Sequence, residues 1–365
     1  MDSLPSNACL LQNVTIDSST NLSSSDKIER AFKTLFLVLI AVANITGNSS
    51  ICLVVLKDRH LRVTVRNYAV ASLALVDLLS VQIMIFQVLT YFNIGKEAFM
   101  CSLMGRIFGC LLYISILHLF TLSLDRYVAI FYPLRYRFMV TPRRAAVVLL
   151  TIWIVPIFSI LFLPAIKLDL HGYASFYGCM DESLIEITDK KNHIHMGLNV
   201  TFLFFLPLLV MMWAYCRISK VAWYQANRVG VAVISAVRLP LGGRLPRARD
   251  RKWAKTLAIV IGAFLGCYLP IVVASLVHIY SEETSFRSLG KVLEILLFLT
   301  FLNTVLNPMI YSLRSNDYRK AFKRIFGTHT QESNSDRRLR LNYATQELES
   351  LTVSSLVTSS HANTS

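Results

Sequence analysis

Charge is scarce in this chain. Of its 365 residues only 16% are charged, against 54% hydrophobic, whereas a soluble domain carries about a quarter charged residues. That shortfall excludes an ordinary cytosolic enzyme and a disordered scaffold. Glycine numbers only 14, far from the roughly one residue in three of a collagen-like fibre. The seven cysteines are too few and too scattered for a disulfide-stapled secreted module. The first 33 residues hold no arginine-led apolar run and no small-residue cleavage site, so no cleavable leader is expected. No internal repeat is visible, which weighs against a transporter built from two related halves. Gly-x-Ser-x-Gly and His-Glu-x-x-His are both missing, and His118 and His278 stand isolated, which weighs against a membrane enzyme.

Long apolar runs are what the chain does have. Crossing roughly 30 Å of hydrocarbon takes roughly 20 mostly apolar residues. Seven segments meet that length: 34–56, 67–92, 98–132, 145–166, 194–222, 252–280 and 289–313. The expected fold is therefore an all-α membrane protein, a bundle of seven transmembrane helices. The net charge of +15 is distributed by side. Residues 1–33, 93–97, 167–192 and 281–294 sum to −1, 0, −2 and −1. Residues 57–66, 135–144, 217–255 and the tail from Arg314 sum to +3, +4, +9 and +3. The basic connections belong inside, so the N-terminus is expected outside and the tail in the cytoplasm, as for a multi-pass plasma-membrane protein. Topology and anionic lipid then explain the charge, and no nucleic-acid partner is expected. On the outer side, Asn13 in Asn-Val-Thr and Asn21 in Asn-Leu-Ser are glycosylation acceptors. Cys101 and Cys179 also fall outside, where thiols oxidise, and a bridge between them would tie the third helix to the loop after the fourth. Cys52, Cys110, Cys216 and Cys267 read as buried membrane thiols.

Four charged residues remain within the helices: Asp77, Arg106, Asp125 and Arg126. Charge at the bilayer centre costs about 2.5–3.5 kcal/mol on insertion scales, so such residues face the bundle interior and usually act. Arg106, near the outer end of its helix, is expected to reach back to the interface. Asp77 has no basic neighbour in sequence and must hold a proton or a cation. Ser115, Asn303 and Asn307 would complete an oxygen cage for sodium, a hard cation, or would join Asp77 in a neutral polar cluster. Arg126 is placed to pair with Asp125 and with Asp250 at the start of the sixth helix, unless Asp250 is a solvated charge in a basic loop. Pro156, Pro164, Pro207, Pro270 and Pro308 fall in or near helices and bend them.

Taken together these residues resemble the rhodopsin-like (class A) G-protein-coupled receptors over residues 34–326. The elements occur in order: Gly47-Asn48, Leu-Ala-Leu-Val-Asp77, Cys101, Asp125-Arg126-Tyr127, Trp153 and Cys179. Pro207 with Tyr215, Cys267-Tyr268-Leu269-Pro270 and Asn307-Pro308-Met309-Ile310-Tyr311 follow. Asp317-Tyr318-Arg319-Lys320-Ala321-Phe322 looks like the family's amphipathic eighth helix. The implied organisation is an extracellular glycosylated N-terminus (1–33), a receptor domain (34–313), an eighth helix (314–327) and a disordered cytoplasmic tail (328–365). The resemblance also implies roles. Asp77, Ser115, Asn303 and Asn307 match the sodium pocket, an allosteric ion and not a cofactor. Asp125, Arg126 and Tyr127, with Asp250, Tyr215 and Tyr311, match the switch that meets a heterotrimeric G protein. Ile116, Pro207 and Phe264 match the core trio that repacks on ligand binding. Tyr268 stands where the family usually has tryptophan. The Ser/Thr-rich tail implies receptor kinases and arrestin.

The family's amine receptors hold ammonium with an aspartate of helix three, where this chain has Phe108. The stretch from Pro133 to Ala146 is similar to adenosine receptors, although Asp181, Ser275 and Phe301 replace the residues that grip adenine there. The expected ligand is thus a small extracellular non-amine, adenosine or a related molecule, with a peptide receptor or a constitutively active orphan as the alternative. Depth and face select Gln87, Phe108, Leu112 and Asn199 for the pocket. Tyr268, Ser275, Glu294 and Thr300 complete it.

Overall fold

In lipid every backbone polar group must find its partner within the segment, and helices meet that demand. The computed structural model describes residues 23–62, 64–163, 190–232, 248–280 and 286–326. Among them, seven helices are long and apolar enough to cross a membrane. They are α1 (Ser24–Lys57), α2 (Val65–Tyr91), α3 (Ala98–Phe131), α4 (Pro142–Phe162), α5 (Lys190–Asn199, Val200–Phe205 and Leu206–Ala232), α6 (Ala248–Tyr280) and α7 (Phe286–Arg314). A short α8 (Asn316–Phe326) follows. Leu35, Leu39 and Val42 of α1 and Leu150 and Ile154 of α4 point outward, a belt that lipid covers.

α3 is the most enclosed helix and touches α2, α4, α5 and α6. α1 begins ten residues before the expected span, because Asp26, Lys27, Glu29, Arg30 and Lys33 continue the helix past its apolar part. Asp26 in the first turn suits the positive end of the helix dipole. α4 starts on a Thr141 cap, whose hydroxyl accepts from the Arg144 N–H, with Pro142 behind it. α2 is interrupted at Ser80. There the Asp77 carbonyl accepts from Ser80 Oγ at 2.6 Å and from Asn44 Nδ2 at 2.8 Å, side-chain bonds that compete with the regular ladder.

Two wide turns of π-helix, Phe158–Phe162 and Val200–Phe205, each end two residues before a proline, Pro164 or Pro207. A proline offers no N–H to the carbonyl four residues back and its ring crowds that carbonyl, so widening the preceding turn relieves the crowding. Pro156, Pro270 and Pro308 lie inside α4, α6 and α7. α1 and α7 approach closely at Gly47, where a Cβ would stand 2.8 Å from Pro308 Cγ. A larger residue there would push the two helices apart.

α8 buries Tyr318 and Ala321 and keeps its basic face outward. Arg324 Nη1 donates to Asp58 Oδ2 at 2.8 Å, and Tyr318 stacks on Tyr311 at 6.0 Å. Two expectations need correction. Arg106 is not exposed at its helix end but buried, with Nε donating to Ser102 Oγ at 3.4 Å. Cys216 is exposed on the helix surface, while Cys110 and Cys267 are buried as expected and Cys52 is half-buried.

Candidate functional site

The polar centre is built outward from a missing bond. Pro308 has no N–H, so the Thr304 carbonyl one turn earlier lacks its helical donor. Asn48 Nδ2 supplies it from α1 at 2.9 Å and also donates to Asn44 Oδ1 at 2.9 Å. Asn44 Nδ2 in turn donates to the Asp77 carbonyl and, at 2.9 Å, to Thr304 Oγ1. α1, α2 and α7 are thus joined by two asparagines. Asn307 Nδ2 donates to Asp77 Oδ2 at 2.8 Å. No ion pair reaches Asp77 among the described residues.

Ser115 and Asn303, the other expected members of the cage, are buried, and Asn303 Oδ1 has no hydrogen-bond partner among the described residues. A hard cation suits that set: a carboxylate, a hydroxyl and an orphaned amide oxygen. Asn307 Nδ2 donates to Asp77 Oδ2 and so orients the carboxylate, which leaves the Asn307 amide oxygen for the expected cage. Above lies the aromatic step. Tyr268 stacks on Phe264 at 4.5 Å. Ile116, Pro207 and Phe264 are all buried.

At the other end Arg126 is buried and turned onto its neighbour. Its Nε donates to Asp125 Oδ2 at 3.0 Å and its Nη2 approaches the same oxygen. Asp125 Oδ1 accepts from Tyr136 Oη at 2.7 Å, which ties the connection after α3 to the pair. Burial first, then the Asp125 carboxylate, pushes the Tyr136 phenol above its usual range, so it remains a donor. Arg144 Nη1 closes the same turn on the Phe138 carbonyl at 2.8 Å. Tyr127 stacks on Phe131 at 4.5 Å and approaches Trp213 of α5. Tyr215 of α5 and Tyr311 of α7 both have buried hydroxyls. Asp250 lies on α6, but its side chain is outside the described residues.

Tyr136→Phe is expected to loosen Arg126. Removing a hydrogen bond to a charged acceptor costs about 1–3 kcal/mol, and it weakens the state in which Arg126 is tied down. Basal nucleotide exchange on G proteins should rise; an unchanged or lower rate would show that Tyr136 does not restrain the pair.

The expected pocket residues divide into spent and unspent groups. Ser275 Oγ donates to the Ile271 carbonyl and Thr300 Oγ1 to the Leu297 carbonyl, both at 2.7 Å. Asn199 is held by Ser159 Oγ at 2.5 Å and faces the His195 ring at 3.1 Å, linking α4 to α5. Phe108 and Leu112 are buried in packing. Gln87 is buried, and its Oε1 has no partner among the described residues. Glu294 is engaged by Lys33 and Tyr91. Sequence reading missed Lys33, Tyr91 and Tyr136, and gave His118 no role. His118 closes a second cluster: Ser72 Oγ meets its Nε2 at 2.8 Å and accepts from Trp153 Nε1 at 3.0 Å. A cavity of about 360 Å³ lies between α2, α3 and α4 at the Arg126 end, away from the expected ligand pocket.

Cys101 is buried and disulfide-bonded. Its expected partner Cys179 lies outside the described residues, as do Asn13, Asn21 and the tail.

Residues 47–311 match the 7 transmembrane receptor (rhodopsin family). The histamine H2 receptor of Homo sapiens is 32% identical over 310 residues, 83% of this chain and 81% of that protein. The 5-hydroxytryptamine receptor 4 of Cavia porcellus is 30% identical over 336 residues, covering 83% and 82%. The alpha-1A adrenergic receptor of Cavia porcellus is 27% identical over 325 residues, covering 80% and 66%. All three are named for amine transmitters, so the expected kinship with adenosine receptors finds no support in them.

Proposed function

The chain belongs to the rhodopsin family of seven-transmembrane receptors, and from that premise we propose that it binds an extracellular small molecule and activates a heterotrimeric G protein. The tethered arginine is the observation that carries this reading. Arg126, buried and bonded to Asp125, is a charge held out of reach that a partner can claim when the bundle opens. A ligand that binds better to the open arrangement shifts the population toward it, by no more than its differential affinity. The N-terminus is placed outside and the tail in the cytoplasm, following the basic connections. The Cys101–Cys179 bridge, glycans on Asn13 and Asn21, and arrestin recruitment by the tail belong to the same proposal.

Asp77, Ser115, Asn303 and Asn307 would hold a sodium ion, with the Asn307 N–H also orienting the carboxylate. The ion would supply the positive charge that Asp77 otherwise lacks, and would favour the closed state. An adenosine-like ligand has no argument from the relatives or from the pocket, where Asp181, Ser275 and Phe301 stand in place of the residues that grip adenine. Phe108 excludes only the helix-three mode of holding an amine.

The test is nucleotide exchange on purified G proteins of each main class, with the full chain in nanodiscs. Exchange faster than with empty nanodiscs is the expected result. A rate equal to empty nanodiscs across all classes, with and without candidate ligands, would overturn the reading.

A further inference from the structure

We propose that the Glu294 end of α1, α2 and α7 holds a binding site for an organic ammonium compound, in which Lys33 is the resident cation that the ligand displaces. The proposal rests on the reading that this chain takes an extracellular ligand, and it names the chemical class.

The structure already holds an ammonium there. Lys33 Nζ stands 2.8 Å from Glu294 Oε2, and Tyr91 Oη donates to Glu294 Oε1 at 2.8 Å. The same ammonium lies 5.8 Å from the Tyr91 ring centroid. A carboxylate flanked by an aromatic face is the pairing that recognises amines. The site is sheltered, with Lys33 and Glu294 side chains 23% and 24% exposed. The other carboxylates within the spans are committed elsewhere: Asp77 to Asn307 and Asp125 to Arg126.

Two further features point to a visiting ligand. Lys33 has a second carboxylate within reach, the exposed Glu29 at 2.7 Å. It can therefore leave Glu294 without losing an ion pair. One helical turn deeper than Tyr91, Gln87 is 1% exposed, and its buried Oε1 has no partner among the described residues. Gln87 thus lies one turn below the Tyr91 hydroxyl, which itself donates to Glu294. A buried acceptor without a donor is unfavourable, and a ligand donor at that depth would satisfy it. The fitting ligand is an amine with a second hydrogen-bond donor about one helical turn, roughly 5 Å, from its nitrogen.

The experiment measures thermal unfolding of the purified full chain in nanodiscs with histamine, 5-hydroxytryptamine and 2-phenylethylamine, the last of which has no second donor. Histamine or 5-hydroxytryptamine is expected to stabilise the chain. Lys33→Met should lower the concentration for half-maximal stabilisation by roughly two- to fivefold, the scale of one part-sheltered ion pair that has a second carboxylate to turn to. Glu294→Gln should remove the stabilisation and Glu294→Asp should keep part of it. Gln87→Leu should weaken the two donor-bearing amines and leave 2-phenylethylamine unchanged. The proposal is overturned if no amine stabilises Lys33→Met, or if Glu294→Gln responds like the parent chain. Should Glu294→Gln fail to fold, Lys33→Met and Glu294→Asp still decide. Amine binding without nucleotide exchange would uphold this site and count against the receptor reading, so the two fail separately.

Discussion

Asn48→Leu is expected to destabilise the folded chain by about 2–4 kcal/mol, since each buried acceptor left without a donor costs about 1–3 kcal/mol. Two would be orphaned together. The Thr304 carbonyl has no N–H from Pro308 and takes Asn48 Nδ2 instead, and Asn44 Oδ1 takes the same nitrogen. Leucine keeps the branching of asparagine and is somewhat larger, so no cavity is left and the loss would report the polar bonds together with any crowding. Interhelical hydrogen bonds measured in membranes average only about 0.6 kcal/mol, because alternative partners are found. Here the alternatives are few, since Asn44 is already committed to Asp77 and Thr304. Thermal unfolding in nanodiscs would measure the effect. A loss below about 1 kcal/mol would mean that another donor reaches Thr304.

Asp77→Asn should abolish any dependence of stability on sodium. The parent chain is expected to gain on the order of 1 kcal/mol when sodium replaces N-methylglucamine at equal ionic strength, as linkage gives for an ion several-fold above its Kd. Asparagine can still pair with Asn307, but it brings no charge to attract a cation. The sign is opposite for intrinsic stability without sodium, which should hold or rise as a buried charge is removed. The comparison is two unfolding midpoints for each protein. A sodium effect that survives in Asp77→Asn would place the ion elsewhere.

Seven spans were legible because lipid thickness sets a length that composition alone can meet, and the structure keeps each to within about ten residues. The polar positions were legible for a related reason: Asp77, Asn303 and Arg126 stand out against apolar surroundings. Their partners were less legible. Tyr91 and Glu294 are 203 residues apart, and Lys33 and Glu294 are 261 apart. Such pairs leave no periodic trace in either segment. Lys33 was counted as part of a polar terminus, because hydropathy stops where the apolar residues stop and the helix does not. Arg106 was misjudged for a similar reason. A charge near a helix end usually stays exposed, but here it is buried and turned onto Ser102 of its own helix. The likeness of the Pro133–Ala146 stretch to adenosine receptors concerned a part of the chain that touches no ligand, so it carried no information about the pocket.

The wide turn at Val200–Phe205 gives α5 two angular phases. Each α-helical residue advances about 100°, so one residue taken up in a wide turn separates the phase before it from the phase after it. Asn199, which faces Ser159, and Tyr215, which faces the bundle interior, therefore do not share one helical wheel. A single-residue deletion within 200–205 could straighten the helix while leaving both faces where they are. The same deletion made further along Leu206–Ala232 would rotate one half of the helix against the other. Related chains can thus differ in length at this turn and still present the same residues at both ends.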